Sequence, residues 1–238
     1  MPLYEYEEIL RRAAQNNVKI IFISGGEPLL HRDIELFISK TKEYKIDPFL
    51  YSSGSTISNN EVVAIQKDYF ESLHQKGLTG VAFSLYSLKS LHNIITRTKK
   101  SFEILEQTLK NIKDINGLSR EFNFIPLRDN RNEIENIIDF AMKYNIKKIN
   151  ILKLISQGRA KRNLPQLSPM SIEEEKSFFK LVKDKSAQTE IVIEVSKLYD
   201  CDHYDSSLVS DYKKNENEKF ITVYNNEIPG RRFRDVAR

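Results

Sequence analysis

Cysteine occurs once in this 238-residue chain, at Cys201, and tryptophan is missing altogether. A single thiol excludes an internal disulfide framework, and it excludes any zinc or iron–sulfur site built from several thiolates of this chain. Long apolar runs are also missing. Ile20-Ile21-Phe22-Ile23 and Val81-Ala82-Phe83 are strand-sized, far short of the about 20 residues that cross a bilayer, so no membrane span is expected. Nor is there a strong excess of one charge: 37 Lys and Arg face 33 Asp and Glu, and the formal net charge of +4 argues against a nucleic-acid partner. The basic stretch 143–162 and the tail residues Arg231, Arg232, Arg234 and Arg238 read as a solvated face and a frayed end. The N-terminus Met1-Pro2-Leu3-Tyr4-Glu5 lacks the basic region and apolar core of a secretory signal, from which a cytoplasmic location is expected. What the chain does have is core material: 40% hydrophobic residues, with 13 Phe and 11 Tyr, are enough for a globular fold and exclude global disorder.

No repeat, Gly/Ser linker or low-complexity tract divides the sequence, so organisation is read from periodicity. Tyr6 to Asn16 carries Ile9, Leu10 and Ala13 at helical spacing, and Val18 to Ile23 is short and β-rich. Asp33 is placed to cap a helix through Ile34, Phe37, Ile38 and Thr41, followed by a strand Pro48 to Tyr51 that ends at Ser52-Ser53-Gly54. A helix is expected over about 60–75, a strand over 81–85, and a helix from Ser101 with Phe102, Leu105, Leu109 and Ile112 on one stripe. A strand at 122–126, a helix at 133–144, a strand at 148–154 and a helix at 171–185, its first turn carrying Glu173, Glu174 and Glu175, complete the alternation. Such alternation implies parallel strands joined by right-handed crossovers, hence a wound sheet or a barrel, and with too few strands for a closed eight-stranded one. In either architecture ligands sit at the C-terminal strand ends. There the sequence places Gly25-Gly26-Glu27-Pro28, Ser52-Ser53-Gly54, Ser84, Asn130 and Gln157-Gly158-Arg159.

Ser24-Gly25-Gly26-Glu27-Pro28-Leu29-Leu30 directly follows a buried strand. Paired glycines let the backbone approach a ligand and expose its amides, Glu27 offers a carboxylate to an ammonium group, and Pro28 fixes the turn. The design suits a zwitterionic amino-acid moiety.

Over residues 5 to 170 the chain resembles the radical S-adenosylmethionine enzymes, and in particular the peptide-modifying branch that often carries a C-terminal SPASM or twitch domain. The resemblance rests on Gly25-Gly26-Glu27-Pro28 with the continuation Leu29-Leu30-His31-Arg32-Asp33-Ile34, on Ser84, on Arg97 and on Gln157-Gly158-Arg159-Ala160. It implies an α/β fold, a partial (β/α)6-type TIM barrel lacking its first strand over 1–189, with a short β-containing extension over 190–238 that is similar to a degenerate twitch or SPASM segment. It also implies that Gly25, Gly26, Glu27 and Pro28 meet the methionyl amine of S-adenosylmethionine. Ser84 would stand near the ribose, Arg97 would pair with the carboxylate, and Arg159 would help close the mouth. The activity so implied is reductive cleavage of S-adenosylmethionine at a 4Fe-4S cluster, giving a 5′-deoxyadenosyl radical that takes a hydrogen from a small-molecule or peptide substrate. An electron donor such as flavodoxin or ferredoxin would serve it.

The sequence also departs from the family. The Cys-x3-Cys-x2-Cys loop that holds the cluster is absent, so the ligand cysteines are not in this chain. The resemblance would place the first barrel strand and that loop just before Met1, and the expectation is an N-terminally truncated, inactive enzyme. Two rivals stand beside it: a non-catalytic S-adenosylmethionine-binding module that has lost its cluster, and a cluster-independent lyase using Glu27 as base. Tyr86 stands where many relatives carry an acid, and Gly230 where an auxiliary-cluster cysteine is expected, which leaves Cys201 structural or incidental. His31 neighbours the mouth, and His31, His74, His92 and His203 read as surface or hydrogen-bonded residues. No catalytic residue is assigned.

Overall fold

The structure, a computed structural model, describes residues 1–155, 158–163, 167–196 and 219–224. Helix α1 (Leu3–Gln15) leads into β1 (Val18–Ser24), then α2 (Ile34–Glu43), β2 (Asp47–Ser52), the hairpin β3 (Ser55–Ser58) and β4 (Glu61–Ala64), and α3 (Lys67–Gln75). The chain continues through β5 (Gly80–Ser84), α4 (Lys89–Thr96), α5 (Ser101–Ile112), β6 (Ser119–Phe124), α6 (Ile134–Lys143), β7 (Lys148–Ile151), α7 (Gly158–Arg162), α8 (Ile172–Ser186), β8 (Val192–Val195) and β9 (Lys219–Tyr224).

Seven strands form one parallel sheet in the order β8-β7-β6-β5-β2-β1-β9. From β1 to β8 every new barrel strand is added on the same side of the last. With right-handed crossovers this monotonic order puts the helices on one face, the winding of a barrel and not of a doubly wound sheet. The register confirms it. Ile23, Leu50, Val81, Phe83, Phe122 and Ile149 occupy one face and belong to a single buried cluster with Leu10, Phe37, Leu73, Leu105, Ile137 and Val182 of the helices. Phe122 is wholly buried there, and its truncation to alanine would cost about 3–5 kcal/mol. Arg120 also points to this face and donates from Nη1 to the carbonyls of Ile112 and Ile115, closing the C-terminal end of α5. The partial α/β barrel expected from the sequence is the observed architecture.

Two details differ from the sequence reading. Residues 60–75 are not one helix: β3 and β4 pair antiparallel, with Asn59 and Asn60 at φ 49° and 63°, and the helix begins only at Lys67. A two-residue hairpin turn of this type requires positive φ at both positions, and asparagine tolerates it better than other side chains. The second difference concerns the C-terminal side. Val192–Val195 is a strand that the periodicity does not single out; it pairs in parallel with β7 at one edge of the sheet, and Lys219–Tyr224 pairs with β1 at the opposite edge. Elsewhere local chemistry agrees with the pattern. Ser171 starts α8 with a capping box, its hydroxyl accepting from the Glu174 amide while Glu174 accepts from the Ser171 amide at 2.8 Å.

Candidate functional site

Glu27 organises the mouth of the sheet. Its backbone follows β1 through Gly25 and Gly26, and its carboxylate reaches sideways to the end of β2. Oε1 accepts from Ser52 Oγ at 2.8 Å and from the Leu29 amide at 3.2 Å; Oε2 accepts from the Ser53 amide at 2.7 Å and Ser53 Oγ at 2.6 Å. These four donors use the acceptor capacity of a carboxylate. Burial pushes the Glu27 pKa above the usual carboxylate range, and the Ser53, Ser52 and Leu29 hydrogen bonds pull against that shift. These contacts tie the β1 loop to the end of β2. Ser52 Oγ in turn accepts from the Gly54 amide at 2.9 Å, which carries the same network into the next turn.

The loop itself is left open. Gly26 is exposed, and a Cβ built on it would meet nothing within 4 Å. Gly25 has φ 154°, a positive-φ conformation that glycine adopts without strain. Pro28 is buried at the start of a short 3-10 turn, Pro28–Leu30, that ends the loop. Next to it His31 accepts from the Asp33 amide at Nδ1, 3.1 Å, and its pKa is lowered, chiefly by burial.

Ser84 closes β5, the strand beside β2, and its hydroxyl has no hydrogen-bond partner among the described residues. Gly25, Gly26, Glu27 and Pro28 thus follow β1 and Ser84 ends β5, with Ser52 and Ser53 at the end of the intervening β2. Arg97 sits at the C-terminus of α4 with φ 55°, and donates from Nη2 to Asn163 Oδ1 at 2.7 Å. It thus joins the segment after α7, the helix that contains Arg159. The Arg159 side chain, Gln157, Cys201, His203 and Gly230 lie outside the described residues. Among the described residues no group of three or more metal-ligating side chains occurs, and none is a cysteine.

Sequence reasoning singled out Asn130 but not its task. The side chain is fully buried; Oδ1 accepts from the Leu127 amide at 2.6 Å, while Nδ2 donates to the carbonyls of Tyr86 at 2.6 Å and Ile125 at 3.0 Å. Glu133 adds a second tie, accepting from Ser87 Oγ at 2.6 Å and the Leu88 amide at 2.9 Å. Together they lock the loop after β5 to the loop after β6. His92 is buried behind this loop, accepts from the Tyr86 amide at 3.3 Å and has its pKa lowered to about 4 by burial. It is the hydrogen-bonded histidine the sequence suggested.

The inner face of the sheet, opposite the helices, was not foreseen. Its β1–β2 side is aromatic, with Phe22 5.2 Å from Phe49 and 5.0 Å from Tyr51 between ring centroids. Its β6–β8 side is polar. Asn150 Nδ2 donates to Glu121 Oε2 at 2.8 Å and to Asn123 Oδ1 at 3.1 Å, and Lys148 pairs with Glu194. The signal was available in the strict alternation Glu121-Phe122-Asn123-Phe124, apolar toward the helices and polar inward.

A probable GTP 3',8-cyclase of Pyrococcus abyssi (strain GE5 / Orsay) is 31% identical over 155 residues, 63% of this chain and 45% of that protein. A GTP 3',8-cyclase of Sulfurovum sp. (strain NBC37-1) is 33% identical over 153 residues, 61% of this chain and 43% of that one. The chain therefore spans under half the length of these relatives. In fold it is similar to Streptococcus suis SuiB bound to the precursor peptide SuiA, with a TM-score of 0.64 at 17% identity over 89% of this chain and 44% of that one. The Radical SAM superfamily profile matches residues 1–141, more than half of the sequence, and the chain belongs to that superfamily of enzymes.

Proposed function

We propose that the mouth formed by Gly25, Gly26, Glu27 and Ser84 binds S-adenosylmethionine, and that the protein serves hydrogen abstraction from a nucleotide substrate. The observation that supports this most is the open, exposed Gly26 beside a carboxylate immobilised by four donors at the C-terminal end of β1. With the Glu27 oxygens already engaged, the loop carbonyls at 24–26 meet the methionyl ammonium, and the Glu27 charge behind them favours it electrostatically. Ser84 offers its hydroxyl to the ribose. Arg97 and the α7 segment form one unit through Asn163 and meet the carboxylate end. When bound, S-adenosylmethionine supplies the carbon–sulfur bond whose one-electron cleavage starts the family's chemistry.

The 4Fe-4S cluster fits less well. Its ligands are thiolates, and the described residues contain none. The nucleotide substrate follows the relatives above 30% identity, which are named for GTP. The peptide substrate expected from the peptide-modifying branch has only a likeness of fold behind it.

Calorimetric titration of the chain with S-adenosylmethionine tests the clasp. Binding is expected in the wild type and at least about tenfold weaker in Gly26→Val, with thermal stability retained because the added side chain points into open space. Absence of binding heat in the wild type, or equal affinity in the variant, overturns the reading.

A further inference from the structure

One polar constellation serves neither the clasp nor the core. Glu121, Asn123 and Asn150 share the inner face, Asn123 in register with Ser84 at the mouth and Glu121 two residues deeper. Asn150 Nδ2 bridges Glu121 Oε2 and Asn123 Oδ1, so both neighbouring head groups are held in one orientation. Two hydrogen-bonding atoms are left over. Glu121 Oε1 accepts from no described residue, and Asn123 Nδ2 donates to none although Asn123 is only 7% exposed. The Asn123 Nδ2 atom is not closed off from solvent, so this donor is accessible to a ligand. The nearby Lys148 is paired with Glu194, so its charge is already compensated.

We propose that Glu121 and Asn123, oriented by Asn150, read the base edge of a guanine nucleotide. This inference rests on the nucleotide-substrate reading above. The Watson–Crick edge of guanine presents two donors, N1–H and N2–H, beside one acceptor, O6. A carboxylate oxygen complements the donors and an amide N–H complements the acceptor, which is the pair left open here. Adenine offers the opposite order, an acceptor at N1 and a donor at the 6-amino group, and would set like against like. Hypoxanthine keeps N1–H and O6 but lacks the 2-amino donor. Burial raises the Glu121 pKa, with Lys148 and Asn150 opposing the shift, and a ligand N–H directed at that carboxylate supplies hydrogen bonding that burial has removed.

Titrations of the full chain with GTP, ITP and ATP, and separately with S-adenosylmethionine, test this. GTP is expected to bind about tenfold or more tightly than ITP, and ATP more weakly still, since an unmet hydrogen bond to a charged group is worth that much. In Glu121→Gln the preference of GTP over ITP collapses, in Asn123→Ser all affinity for GTP falls, and the S-adenosylmethionine titration is unchanged in both. Equal binding of GTP and ATP by the wild type overturns the proposal, and that comparison needs no variant. Retained GTP preference in Glu121→Gln, or S-adenosylmethionine binding with no GTP binding, also overturns it. Base discrimination without S-adenosylmethionine binding would sink the clasp and leave this site standing.

Discussion

Replacing Glu27 separates a structural carboxylate from a ligand-binding one. Glu27→Ala removes the acceptor of four donors, two of them backbone amides, Leu29 and Ser53. Hydrogen bonds to a charged group are worth about 1.5–3 kcal/mol each when buried, but the Ser53 pair is exposed and rebinds water, so the total loss is about 3–4 kcal/mol. For a chain of this size that is a fall of roughly 6–16 °C in melting temperature. Glu27→Gln retains the Oε1 contacts but turns an NH2 toward the Ser53 amide, setting donor against donor, at a cost of about 1–2 kcal/mol. The pH dependence has a definite sign. A carboxyl whose folded pKa is raised contributes stability that is fully present below its unfolded value and lost as pH rises through the folded one. Wild type should therefore show a decline in stability on going up through that window that Glu27→Gln lacks. Urea denaturation across pH, monitored by circular dichroism, measures both effects. If Glu27→Ala melts within about 2 °C of wild type, the four-donor network does not hold the loop and the reasoning fails.

Further outcomes follow from the same geometry. His92, buried with its pKa lowered to about 4, must stay neutral in the fold; stability should fall by about 3 kcal/mol as pH drops from 6.5 toward 4, and His92→Gln should flatten that part of the denaturation profile. Asn130→Ala leaves the Leu127 amide and two carbonyls without partners and should cost about 2–4 kcal/mol, read from urea midpoints, with faster hydrogen exchange at residues 86–88. Gly80→Ala would drive a methyl group into the Phe49 ring and should lower stability by about 1–3 kcal/mol; an unchanged melting curve would mean the ring is free to move.

Much of the architecture is written in local pattern. The strands at 18–23, 48–51, 81–85, 122–126 and 148–154 are β-branched or aromatic runs between amphipathic stretches, and each has its counterpart in the sheet. The hairpin at 55–64 escaped because its polar and β-branched residues lie just before a true helix, and the turn signal Asn59-Asn60 is weaker than one containing glycine. β8 escaped because four residues with one exposed and three half-buried positions carry little period-2 contrast.

The sequence by itself determined the α/β alternation, the lack of several thiolates and the Gly25-Gly26-Glu27-Pro28 loop at a strand end, since each is a matter of composition or near-neighbour spacing. Only the tertiary structure decided what the Glu27 carboxylate touches, because Ser52 and Ser53 lie 25 and 26 residues away and meet it through the β1–β2 pairing. It alone also decided that Glu121, Asn123 and Asn150 form one surface. Residues on different strands share a face only once register is fixed, and register comes from burying the apolar side of the sheet against helices from the whole chain.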